Sequence, residues 1–216
     1  MAASLAPISH VGIGPLGLSG DLSLPEGASG LVVFAHGSGS SRHSPRNRAV
    51  AVALNAEGMA TLLFDLLTPD EEADRANVFD IGLLATRLVD VVGWIDNQPA
   101  LRSLPLGLFG ASTGAAAALA AAATLGERIG AVVSRGGRPD LAAPLLDQVQ
   151  APTLLIVGGE DHEVLLLNRE ALDLLTAPKA LTVVPGATHL FEEPGTMDQV
   201  IALATNWFKT HLTPPS

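Results

Sequence analysis

The sequence contains no cysteine. Disulfides, zinc–thiolate sites and a cysteine nucleophile are therefore excluded. Basic residues are scarce, with 12 Lys+Arg against 22 Asp+Glu and a net charge of −10. Such a surface repels nucleic acid and anionic membranes, so neither is expected as a partner. No apolar run approaches the ~18 residues that a membrane span needs. Residues 1–7 have neither the basic start nor the long apolar stretch of a signal peptide, which leaves a cytoplasmic protein as the expectation. Linkers, internal repeats and low-complexity segments are also missing, apart from one alanine run, so residues 1–216 are read as one α/β domain. The nearest approach to a metal motif, His189-Leu190-Phe191-Glu192-Glu193, lacks a second histidine at usable spacing. Neither a metal nor a cofactor is expected.

What the chain does hold is apolar substance: 48% hydrophobic residues and a mean hydropathy of +0.37. Residues 8–24 read as a hairpin, with Leu16, Leu18, Leu22 and Leu24 bracketing a turn at Ser19-Gly20-Asp21. A literal G-x-G-x-x-G occurs there at Gly12, Gly14 and Gly17. A dinucleotide site needs a helix directly after its glycines, whereas here Pro15 and alternating leucines continue as strand. Continuous apolar runs at 31–35, 61–66, 104–109, 129–133 and 153–157 have the look of strands buried on both faces. A shorter strand fits 180–184. Helical spacing covers 46–58, 79–97, the alanine block 115–123, 164–176 and 197–211. The acidic stretch 70–74 reads as a solvated loop. Strand and helix alternate from residue 31 onward, which predicts a mostly parallel central sheet with helices on both faces.

Gly110-Ala111-Ser112-Thr113-Gly114 sits between a strand and a helix. In that context G-x-S-x-G forms a nucleophile elbow, a sharp turn that presents the serine at its apex. A serine hydroxyl needs a base, and the base needs an orienting carboxylate. In an open α/β sheet such groups collect at the carboxyl ends of strands. Asp161 follows the strand 153–157, and His189 follows the strand 180–184. The order Ser112, Asp161, His189 is the one expected of this fold. Glu160 and Glu163 lie beside Asp161 as competing carboxylates, and His36 follows a strand too early to be the base. For the oxyanion, the backbone N–H of Thr113 is one expected donor. Ser38, in His36-Gly37-Ser38-Gly39-Ser40, is the other, with Gly39 as its alternate.

These four motifs, H-G-S-G at 36–39, G-A-S-T-G at 110–114, G-G-E-D at 158–161 and the loop at His189, make the chain resemble an α/β-hydrolase. Among these it is similar to the small, dienelactone hydrolase-like group without a large lid, from about residue 8 to the end. Dienelactone hydrolases proper carry a cysteine at the elbow, where this chain has Ser112. The resemblance therefore implies a serine carboxylesterase working through an acyl-enzyme. Acyltransferase, thioesterase, perhydrolase or dienelactone-type activity on the same residues, or a silent interaction module, are the alternatives. Residues 134–152, where relatives insert a cap, are too short for one, so an open cleft and a small, short-acyl ester are expected. Arg42, His43, Arg46, Arg135 and Arg138 lie near strand ends. Of these, Arg42 and Arg138 are the candidates to hold a substrate carboxylate.

Overall fold

The computed structural model describes residues 6–212, so most of the N-terminal stretch read above for a leader lies outside it. Eight strands form one sheet: β1 (Ile8–Ile13), β2 (Leu18–Ser23), β3 (Leu31–Ala35), β4 (Ala60–Phe64), β5 (Leu106–Ala111), β6 (Ile129–Arg135), β7 (Thr153–Gly158) and β8 (Lys179–Val184). Their order is β1-β2-β4-β3-β5-β6-β7-β8. The pairs β1–β2 and β2–β4 are antiparallel. All pairs from β4 to β8 are parallel.

The inner parallel strands β3, β4, β5 and β7 are buried along their whole length because both of their faces are covered, whereas the edge strand β8 is mostly exposed or half-buried. In β3, Leu31, Val33 and Ala35 join one core, while Val32 and Phe34 join the other. The first core is closed by helices α4 (Ile81–Asp96), α5 (Thr113–Leu125) and α6 (His162–Leu174), with a 3-10 stretch at Pro139–Gln148. The second lies under α1 (Pro45–Ala56) and α7 (Thr196–His211). The alanine run belongs to α5, where residues 115–122 are all buried. Small side chains let that helix sit between the sheet, α4 and the 3-10 stretch without gaps.

Two expectations are corrected. The hairpin turns at residues 14–17, where Gly14 and Gly17 adopt φ +63° and +61° and the Gly17 N–H bonds the Gly14 carbonyl at 3.1 Å. Ser19, Gly20 and Asp21 lie inside β2, with Gly20 and Asp21 paired to Phe64 and Leu63 of β4. Two glycines able to take positive φ make a better turn than one. The acidic stretch is also ordered: α2 (Pro69–Glu72) and α3 (Arg75–Phe79) replace the loop. Thr68 and Glu71 cap α2 reciprocally, and Glu71 also binds Arg87 of α4 at 2.5 Å. Those contacts hold a charged segment against the body of the protein.

The strand-to-helix turn at residue 112 is possible only because its flanking residues lack side chains. A Cβ on Gly114 would stand 2.3 Å from the Ala35 carbonyl oxygen and 2.4 Å from that of His36. One on Gly110 would stand 2.4 Å from the Ala115 Cα. Both obstacles are backbone and cannot yield. Gly114→Ala is thus expected to lower unfolding stability by about 3 kcal/mol, the upper part of the usual overpacking range. Gly93→Ala, in α4 with nothing within 4 Å of the new methyl, should raise it by about 0.5–1 kcal/mol. Urea unfolding of the two variants reads both signs.

Candidate active site

Ser112 stands between β5 and α5, as the residue before the helix, with φ +52° and ψ −123°. A non-glycine residue is rarely found there, and holding it costs about 1–3 kcal/mol. The turn is fixed by the Ser112 N–H bonding the Arg135 carbonyl at 3.2 Å and the Arg138 N–H bonding the Ser112 carbonyl at 3.1 Å. Serine at a helix start usually caps the helix with its hydroxyl. Ser112 makes no such bond.

Asp161 stands at the start of α6 and likewise does not cap it. Its Oδ2 lies 2.6 Å from Nδ1 of His189 instead. Two backbone bonds bring their loops together, Gly159 N–H to the Val184 carbonyl and Glu160 N–H to the Ala187 carbonyl, each 2.9 Å. Gly158 permits the approach, because a Cβ there would meet the Ala187 oxygen at 2.3 Å. Glu193 ties the histidine loop from the other side, accepting the Thr188 N–H at 3.1 Å and its hydroxyl at 2.6 Å. His189 passes beside Gly136, one residue after the carbonyl that fixes Ser112; a Cβ on Gly136 would lie 3.6 Å from the imidazole Cε1. The side chains of His189 and Asp161 are thus brought together in loops that pass beside the elbow. Glu160 and Glu163 are not the partners of His189.

The loop after β3 lies against the elbow, with a Cβ on Gly37 only 3.0 Å from that of Ser112. The Ser38 N–H, expected to face the oxyanion, donates to Thr113 Oγ1 at 2.9 Å. His36 anchors the loop. Its Nε2 accepts the Leu66 N–H at 3.1 Å, and its Nδ1 lies 3.0 Å from the Gly37 carbonyl. Such a ring is neutral with its proton on Nδ1, and burial lowers its pKa below 6.5.

Both arginines proposed for substrate are engaged within the chain. Arg42 binds Asp65 through its guanidinium and, at 2.8 Å, through its backbone N–H, with Asp21 3.6 Å away. Arg138 grips Asp140 with two bonds of 2.9 and 2.8 Å. Each therefore already holds a carboxylate, while Arg42 Nε has no partner among the described residues. Arg135, another arginine expected near the cleft, is differently placed. It is only 6% exposed, and its Nε has no partner among the described residues. It lies 5.8 Å from the ring centre of Phe191, and burial together with nearby Arg46 pushes its pKa down to about 10.

A cavity of about 250 Å³ opens beside Ser38. Leu18, Leu66, Leu67, Val78 and Leu84 give it an apolar wall, and Arg42, Asp65 and Glu72 a charged one. Part of this wall comes from Pro69, Glu72 and Val78, in and beside the stretch 70–74 that the sequence reads as a loop. The T-P-D-E pattern at 68–71 was the signal that could have revealed it.

Ser112→Gly removes the backbone strain and adds the chain entropy of glycine, about 0.5–1 kcal/mol. The expected net gain of about 1 kcal/mol raises the thermal midpoint by about 3 °C, readable by calorimetry. For His36 the folded pKa is lowered, so the unfolded chain takes up the proton first. Its contribution is complete above pH 6.5 and is lost as pH falls towards the folded value. Between pH 7 and 5 the stability of the wild type should therefore drop more steeply than that of His36→Gln. Parallel slopes would contradict the buried neutral ring.

Comparison with known proteins shows the family and the fold. Residues 22–212 match the Dienelactone hydrolase family. A dienelactone hydrolase of Anabaena variabilis is 53% identical, with a TM-score of 0.91 over 95% of this chain and 97% of that one. Est1E of Butyrivibrio proteoclasticus shares the fold at 16% identity, with a TM-score of 0.80 over 95% of this chain and 99% of its own. A Mycobacterium tuberculosis protein with the provisional name phosphoribosyl transferase is 63% identical over 202 residues, 94% of this chain. This chain spans 46% of that longer protein. With the family matched over nearly its whole length and the fold reproduced at 53% identity, the chain belongs to the dienelactone hydrolase family of α/β hydrolases.

Proposed function

We propose that the protein is a serine carboxylesterase acting on small, short-acyl esters. The observation that carries this is the 2.6 Å contact between Asp161 Oδ2 and His189 Nδ1 beside a strained serine whose hydroxyl is not spent on its helix. With Nδ1–H directed to the carboxylate, Nε2 is left as the proton acceptor. Ser112 Oγ attacks the ester carbonyl carbon, its proton passes to Nε2, and the carbonyl π pair moves onto oxygen. Collapse of the tetrahedral species breaks the bond to the alcohol, which leaves with the proton from His189. Water then repeats the sequence on the acyl-enzyme and returns the free serine and the acid. Asp161 stabilises the imidazolium and holds its tautomer without taking the proton.

A short acyl group fits an open cleft, because the segment 134–152 forms only a 3-10 stretch and builds no tunnel. The cavity of about 250 Å³ adjoins Ser38 but has none of Ser112, Asp161 and His189 among its lining residues. Because Arg42 and Arg138 already hold carboxylates, an anionic substrate is not favoured over a neutral one. The name of the mycobacterial relative refers to a protein more than twice as long as the matched part. It supplies no role for Ser112, Asp161 or His189.

Mixing with p-nitrophenyl acetate should release a stoichiometric burst of p-nitrophenol followed by slower turnover. Ser112→Ala should abolish both. Asp161→Asn, which leaves the wrong nitrogen protonated, should lower kcat by about 10⁴-fold. Turnover that survives in Ser112→Ala would refute the assignment of the nucleophile.

A further inference from the structure

The bond from the Ser38 N–H to Thr113 Oγ1 creates a difficulty for an oxyanion hole built from two backbone amides. A single N–H that donates at 2.9 Å to a buried hydroxyl has little left for a second acceptor. Either substrate displaces the threonine, or the threonine itself serves the oxyanion.

Thr113 follows the nucleophile directly and is 6% exposed. Its amide belongs to the first turn of α5 and has no carbonyl of that helix behind it. Among the described residues its hydroxyl accepts the Ser38 N–H and donates to nothing. A hydroxyl has one proton to give, and the proton of Thr113 is therefore uncommitted. Its amide and its hydroxyl sit on one residue at the positive end of the helix dipole. Gly37 holds the loop against the Ser112 Cβ, and the residues on either side of that contact, Ser38 and Thr113, are the ones bonded to each other.

We infer that the Thr113 hydroxyl is the second oxyanion donor, with the Ser38 amide acting through it. The chain then runs from Ser38 N–H to Thr113 Oγ1 and from Thr113 O–H to the tetrahedral oxygen, beside the Thr113 N–H. No proton is transferred; both donors keep theirs while negative charge grows on the substrate oxygen. A donor already polarised by the Ser38 N–H gives a stronger bond than an isolated hydroxyl, and no group has to move when the charge appears. Ser38 is on this account a positioning residue, and Thr113 a catalytic one through both its amide and its side chain. This inference rests on the serine hydrolase reading above and adds a residue to it.

The test compares Thr113→Val, nearly isosteric but without the hydroxyl, with Thr113→Ser, which restores it. On p-nitrophenyl acetate, Thr113→Val should lose about 10²–10³-fold in kcat, the effect of removing one oxyanion donor, with KM little changed. Thr113→Ser should recover to within a few-fold of wild type. A trifluoromethyl ketone, which forms an adduct resembling the tetrahedral species, should weaken with Thr113→Val by the same factor as kcat/KM. Should the valine variant fail to fold, Thr113→Ala provides the same comparison. If Thr113→Val or Thr113→Ala keeps wild-type kcat, or exceeds it, the hydroxyl only occupies the Ser38 amide at rest and the inference is overturned. Wild-type protein inert towards every ester would refute the hydrolase reading instead, so the two failures are distinguishable.

Discussion

Everything at the carboxyl edge of the sheet depends on how closely the start of α5 approaches the end of β3. The Ala35 and His36 carbonyl oxygens occupy the space where any side chain on Gly114 would begin. That contact sets Gly37 against Ser112 and brings the Ser38 amide to Thr113 Oγ1. It also leaves Ser112 no relaxed backbone to adopt, since the strand and the helix on either side are both fixed by burial. Apolar packing on both faces of the sheet, worth ~25 cal/mol per Å² buried, is what holds the strained turn closed. Function is thus supplied from the core.

In the proposed mechanism two helix starts carry the chemistry. Ser112 and Asp161 both stand where serine and aspartate ordinarily satisfy orphan amides with their side chains, and neither does so. Giving up a cap costs about 1 kcal/mol each. In return a hydroxyl and a carboxylate are left available at the ends of β5 and β7. The carboxylate is taken by His189, whose loop is strapped to that of Asp161 by backbone bonds and by the absence of a side chain on Gly158. The loop after β3 is fastened elsewhere, by the neutral His36 ring bridging to Leu66 after β4. Three loops, each held by contacts of its own, converge on one serine.

Much of this was legible in the chain. Strand runs such as 31–35 are apolar without interruption because residues alternate between two cores, and that pattern announces a parallel sheet. Ser112 and Asp161 could be singled out because each follows such a run, and His189 because it follows the shorter strand 180–184. Side-chain commitments were not legible. Arg42 and Arg138 sit near strand ends, but whether a guanidinium is free depends on Asp65 and Asp140, and nothing in the spacing gives that. Charge misled at 70–74, since acidic residues at a helix start are favoured by the helix dipole as much as by solvent. The hairpin turn was misplaced because a plausible Ser-Gly-Asp sequence outweighed the stronger Gly-Pro-Leu-Gly beside it. At Thr113 only the backbone was considered, and the side chain proved to be the nearest neighbour of the Ser38 amide.

Acyl transfer to Ser112 is the central claim, and trapping the acyl-enzyme tests it most directly. The protein would be mixed with p-nitrophenyl acetate, quenched in acid within the burst and digested for mass spectrometry. The account predicts a single acetyl group on the peptide containing Ser112, absent from Ser112→Ala. Acetyl found only on lysines, or on the same peptide of Ser112→Ala, would contradict it.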